Sequence, residues 1–109
     1  MATTAGGEKQ TQVKIIKYLE TLRNVWFTKT IVCTTRGVPD ILVCYKGRFI
    51  SIECKSPSGR LTELQRYNSE QIRLAGGYAI TAYSPADVQD FFSLLDCAEV
   101  LKNECKNKK

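Results

Sequence analysis

The sequence predicts an α/β domain, a mixed β-sheet flanked by helices in the order αβββαβα. Three observations carry this prediction. EKQTQVKIIKYLETLR, from Glu8 to Arg23, repeats its apolar residues at helical spacing. Three runs rich in apolar, β-branched and aromatic residues follow in the centre of the chain, and a helix, a strand and a last helix complete it. No repeat or linker divides the 109 residues, so one domain is expected over 8–101, with a loose terminus at 1–7 and a basic tail at 102–109.

In the first segment Gln12, Ile15, Ile16, Leu19 and Leu22 fall near one stripe, with lysines around the other face. VWFTKTIV favours a strand, and the following TTRGVP interrupts it because Pro39 has no amide donor for a central ladder. ILVCY and RFISIECK then read as two strands joined by a hairpin at Lys46-Gly47. In the second of these, Phe49, Ser51, Glu53 and Lys55 share one face, and Ile50, Ile52 and Cys54 share the other. Thr62 followed by Gln65 has the form of a capping box for a helix packed through Leu64, Tyr67, Ile72 and Leu74. Gly76-Gly77 stops that helix and YAITAY forms a strand. Pro85 then opens a last helix packed through Val88, Phe91, Phe92 and Leu95, and KNECKNKK is expected to fray.

Composition bounds the chemistry. The chain carries 16 Lys and Arg against 11 Asp and Glu, a formal charge of +5, which is compatible with nucleic-acid binding without requiring it. It has no histidine, which excludes histidine zinc ligands and histidine general bases within this chain. No apolar run is long enough for a conventional membrane span, and the first residues lack the apolar stretch of a signal peptide. Five cysteines, Cys33, Cys44, Cys54, Cys97 and Cys105, include no CxxC pair. Three of them lie in apolar extended segments where buried thiols are common, so a reducing, cytoplasmic location is expected.

The sharpest local pattern is Pro39-Asp40 followed by Glu53-Cys54-Lys55. The hairpin would bring Asp40 close to Glu53, and strand periodicity places Lys55 beside Glu53. Two carboxylates can hold a hard divalent cation, and a lysine can orient water or stabilise charge at a phosphate, a combination suited to phosphodiester hydrolysis. On spacing alone, the same residues also read as an aspartate ending a turn and two exposed strand residues.

The block GVPDILVCYKGRFISIECKSPSGRLTELQRYNSEQIRLAGGYA resembles a VRR-NUC domain, the virus-type replication and repair nuclease branch of the PD-(D/E)xK superfamily, and the likeness extends from Glu8 to about Asp90. It implies a restriction-endonuclease-like sheet. By this resemblance Asp40 and Glu53 match the metal-binding carboxylates, Lys55 the catalytic lysine, Gln65 the glutamine after the catalytic strand, and Glu8 the acid of the first helix, a further ligand of the metal. The backbone carbonyl of Cys54 would add a further metal oxygen, the metal being Mg2+ or Mn2+. Glu8 also reads as a helix-dipole partner, and Gln65 as the reciprocal cap of Thr62.

The resemblance further implies hydrolysis to a 5′-phosphate and a 3′-hydroxyl, a homodimer, and branched DNA or a four-way junction as substrate. The setting would be viral or prophage replication or repair in a host cytoplasm. Arg36, Lys46, Arg60 and Arg66 are the candidate DNA contacts, and Lys102, Lys106, Lys108 and Lys109 could add a weak, salt-sensitive attraction. Tyr45 and Tyr67 are expected to pack rather than stack on bases, and Trp26 to serve core or interface. Two other readings stay open: a restriction-type enzyme on linear duplex DNA, and a non-catalytic DNA-binding or assembly subunit.

Overall fold

The computed structural model describes residues 7–107, with side chains to Glu104. The chain folds as α1 (Glu8–Glu20), β1 (Val25–Lys29), β2 (Ile41–Tyr45), β3 (Arg48–Cys54), α2 (Glu63–Leu74), β4 (Tyr78–Ala82) and α3 (Pro85–Asn107), the order that the sequence predicts. The four strands form one sheet in the order β1-β2-β3-β4. β1 and β2 pair antiparallel, as do β2 and β3, and α2 carries the chain across to a parallel β4.

Each junction has a local cause. Lys46 and Gly47 both have positive φ, 50° and 85°, which is the backbone of a two-residue hairpin whose twist matches its strands. α1 ends at Glu20 rather than reaching Arg23. There the Thr21 and Leu22 amides donate to carbonyls three residues back, and Thr21 Oγ1 donates to the Tyr18 carbonyl at 2.7 Å. β1 stops at Lys29, not Val32; beyond it the Thr30 amide still donates to the Asp40 carbonyl at 2.8 Å and the Thr30 hydroxyl to the Pro39 carbonyl at 2.6 Å. α3 continues to Asn107, so 102–107 is helical where fraying was expected. Residues 1–6 of the expected loose terminus, Lys108 and Lys109, and the side chains of Cys105 and Lys106 lie outside the described residues.

Ile15 and Leu19 of α1 and Val88, Phe92 and Leu95 of α3 pack on Ile41, Val43, Tyr45, Ile50, Ile52 and Cys54 of the sheet. Alternation along β3 therefore sends Ser51 and Glu53 to the opposite face, yet both are buried, because α2 covers them. α2 presents Gln65, Ser69 and Ile72, at i, i+4 and i+7, and of the apolar set expected from sequence only Ile72 is among them. Leu64, Tyr67 and Leu74 are exposed, and Ser69 is the one buried residue of the helix. A sheet face offering Ser51 and Glu53 selects a small and polar helix stripe over a leucine-rich one.

α2 rests against β4 and leaves the β1–β2 side of that face open. Trp26, Cys44 and Phe49 form a cross-strand row there, and all three are exposed. Cys33 is exposed as well, so two of the three strand-region thiols expected in the interior lie at the surface; Cys54 alone is buried. Tyr45 packs as expected, stacked on Phe92 at 4.1 Å, whereas Tyr67 is exposed.

Candidate active site

β3 and β4 run parallel and each leads into a helix, so α2 and α3 both begin at the end of the sheet where Lys55 lies. α1 begins there too, since Glu8 Oε2 stands 3.5 Å from Lys55 Nζ. Three helix N-termini, each a positive dipole end with an acid in its first turn (Glu8, Glu63 and Asp87), thus gather at one edge. Asp40 reaches the same edge from the start of β2.

The side chains at this edge are held individually. Asp40 Oδ2 accepts from the Cys54 amide at 2.8 Å, which ties the β2 start to the β3 end across the hairpin. Gln65 Nε2 donates to Glu53 Oε2 at 2.5 Å. The capping box is complete as well: the Thr62 hydroxyl accepts from the Gln65 amide, and Gln65 Oε1 accepts from the Thr62 amide. One glutamine therefore performs both functions that the sequence left in competition. Its carbonyl oxygen caps α2 and its amide nitrogen holds Glu53.

Glu53 and Lys55 are 2% and 6% exposed, the only charged side chains buried among the described residues. Sequestering a carboxylate and an ammonium costs several kcal/mol per ion unless each is well paired, so this edge is not built for stability. Burial, and then the negative charge of Asp40, push the Glu53 carboxyl up to about 8. The Asp40 carboxyl is raised too, chiefly by burial, against the lowering effect of its bond from the Cys54 amide. Burial likewise drives the Cys54 thiol up to about 12, so the sulfur is an inert core group at neutral pH.

Asp40 and Glu53 form a pair of hard oxygen donors whose charges oppose one another, and that donor set fits a hard divalent cation. Magnesium is commonly held by one or two carboxylates, with waters and substrate phosphate oxygens completing its shell. Glu8 faces Lys55 in this arrangement. Among the described residues no three His, Cys, Asp or Glu side chains form a ready metal cluster.

The candidate DNA contacts separate into two groups. Arg36 lies exposed in the β1–β2 loop, which Asn68 Nδ2 tethers to α2 through the Arg36 carbonyl at 2.8 Å. Gly37 sits against the same helix with φ 74°, where an added Cβ would stand 2.7 Å from Leu64 Cγ. Arg60 and Arg66 are exposed before and within the first turn of α2. Lys46 is not brought to this edge. It occupies the hairpin at the far end of β2, bonded to Asp96 at 3.1 Å and lying over the Tyr45 ring. Sequence reasoning missed Thr30 and Asn68, which fix the loop carrying Arg36. Asn68, three residues after Gln65 on the same helix face, was the available signal.

A solved structure described as a VRR_NUC domain superposes on this chain with a TM-score of 0.66 at 22% identity, covering 79% of this chain and 94% of that one. No family model matches the sequence, and no curated protein does. The chain therefore shares the fold of that domain. No helix among the described residues is long and apolar enough to cross a membrane.

Proposed function

We propose that this protein is a divalent-metal-dependent DNA endonuclease that hydrolyses phosphodiester bonds, acting as a homodimer on branched DNA such as a four-way junction. The observation that carries this reading is the convergence of buried Glu53 and Lys55 with Asp40 at the edge where three helices begin. A buried carboxyl and a buried ammonium side by side are costly for folding and useful for chemistry.

Asp40 and Glu53 would hold Mg2+ or Mn2+, with the Cys54 carbonyl as a further oxygen. A cation bound there supplies charge neutralisation at the phosphoryl oxygens and acidifies water. Gln65 fixes one oxygen of Glu53 and so orients the carboxyl beside Asp40. The Lys55 ammonium donates hydrogen bonds that orient the attacking water or stabilise charge on the phosphate, and Glu8 opposes it at 3.5 Å. The helix N-termini draw the scissile phosphate to this edge, and Arg36, Arg60 and Arg66 extend the positive rim around it.

Support for a homodimer comes from the open sheet face. Trp26 is 63% exposed in a row with Cys44 and Phe49, and Tyr67 of α2 is 59% exposed on the same layer. A second copy covering this face would present two catalytic edges, the requirement for paired cuts in a junction.

The test is product formation from an end-labelled four-way junction and its matched linear duplex with magnesium, manganese or chelator, comparing the protein with Lys55→Ala. Symmetric, metal-dependent junction cuts lost in the variant are expected. Cutting of the linear duplex alone would replace the substrate assignment by a restriction-type one. DNA binding without cleavage would replace the enzyme by a binding or assembly subunit.

A further inference from the structure

The formal charge of +5 is unevenly distributed. α3 carries Asp87, Asp90, Asp96, Glu99 and Glu104 against Lys102 and Lys106, so the positive excess lies elsewhere. α1 carries Lys9, Lys14 and Lys17 against Glu8 and Glu20, and these charges are sorted by face. At about 100° per residue, Lys9, Gln10, Val13, Lys14 and Lys17 occupy one arc of about 140°, centred opposite the buried Thr11, Ile15 and Leu19. These five residues line a shallow recess of about 440 Å³. None of the three lysines makes an ion pair among the described residues, and the one acid on their arc, Glu20, stands at its far end.

A solvated helix face usually intersperses acids four residues from its bases, which lowers the repulsion between like charges. α1 does not. Lys9, Lys14 and Lys17 have Val13, Tyr18 and Thr21 at the i+4 positions. The first residue of the same helix, Glu8, falls on the inward arc and meets Lys55. The lysine face therefore starts at the catalytic edge and runs away from it along the outside of the domain, with Lys9 and Lys17 separated by about 12 Å of helix. A strand of duplex DNA advances about 3.4 Å along the axis per phosphate, so a reach of that length passes several phosphates.

We propose that the outer face of α1 is a track for the phosphate backbone of DNA, engaged through Lys9, Lys14 and Lys17, which holds the duplex or junction arm leaving the catalytic edge. This assignment builds on the nuclease reading and names the surface that grips its substrate. It supplies affinity without sequence preference, because phosphate contacts position DNA and carry no base information.

The test is equilibrium binding to an end-labelled linear duplex and a four-way junction in chelator, across a series of salt concentrations, for the protein and Lys9→Gln/Lys14→Gln/Lys17→Gln. The control is Arg23→Gln/Arg48→Gln/Arg73→Gln, which removes the same formal charge from positions outside that face. If each α1 lysine neutralises one phosphate, the plot of log affinity against log salt becomes shallower by about 2.7 in the α1 variant. The control should retain its slope, and circular dichroism should confirm that both variants keep their helix content. An unchanged slope in the α1 variant, or an equal change in the control, would overturn the track. Failure of the protein to bind either DNA would overturn both readings. A track confirmed in a protein that cleaves nothing would refute only the nuclease.

Discussion

Protonation of Glu53 should write itself into the stability of the metal-free protein. The side chain is 2% exposed, so solvent screens it little, and its carboxyl titrates at about 8 in the fold against an ordinary value of 4.5. The folded state then keeps a proton that the unfolded chain has released. The stabilisation linked to that proton is complete below the unfolded value and is lost as pH rises through about 8. Within this window unfolding free energy falls by about 1.4 kcal/mol per pH unit, or about 2–3 kcal/mol between about pH 5.5 and 7.5. For a domain of this size that is a fall in Tm on the order of 10 °C. Asp40, also raised above its usual value, adds a contribution of the same sign at lower pH. The assay is thermal unfolding by circular dichroism in chelator, repeated with Glu53→Gln, which keeps the shape and removes the proton. The variant should lose most of the slope, and magnesium should flatten it in the unsubstituted protein by favouring the ionised pair. A Tm that is level across the window, or a slope that survives in Glu53→Gln, would refute the reasoning.

Other consequences are equally direct. Lys55→Ala should lower cleavage by about 100-fold or more while leaving DNA binding in chelator largely intact, as judged by single-turnover kinetics and a binding titration. Thr62→Ala removes the hydroxyl that accepts from the Gln65 amide and should cost about 1 kcal/mol in denaturant unfolding, while cleavage should persist because the Gln65 side chain keeps its bonds to the Thr62 amide and to Glu53. Gly37→Ala places a Cβ at φ 74° against Leu64 and should destabilise by about 1–2 kcal/mol, loosening the loop that leads into Asp40. Trp26→Glu should shift a dimer to monomer in sedimentation velocity without lowering the Tm of the monomer, since the indole is mostly exposed.

Much of this architecture was legible because its causes are local. Lys46-Gly47 between two apolar runs specifies a tight turn, and Thr62 with Gln65 specifies a helix start; both formed as read. The Pro39-Asp40 and Glu53-Lys55 strings were equally visible, since hairpin pairing fixes which residues of β2 meet β3. Where the sequence misled, the deciding partner was distant. Leu64, Tyr67 and Leu74 looked like a core stripe, but α2 turned Gln65 and Ser69 inward because the face beneath it carried Ser51 and Glu53. Lys46 sits in the hairpin as read, but its partner was not legible: it closes on Asp96, 50 residues away.

The sequence by itself determined the element order, the turns and caps, and the acids and lysine of the candidate site, because these depend on periodicity and on hydrogen bonds spanning a few residues. Tertiary structure decided which charges are buried, that Glu8 meets Lys55, that three helix N-termini share one edge, and that the α1 lysines run outward from it. Those outcomes depend on how helices settle on a sheet whose two faces differ in polarity. Such packing is set jointly by residues far apart in the chain, and no local pattern encodes it.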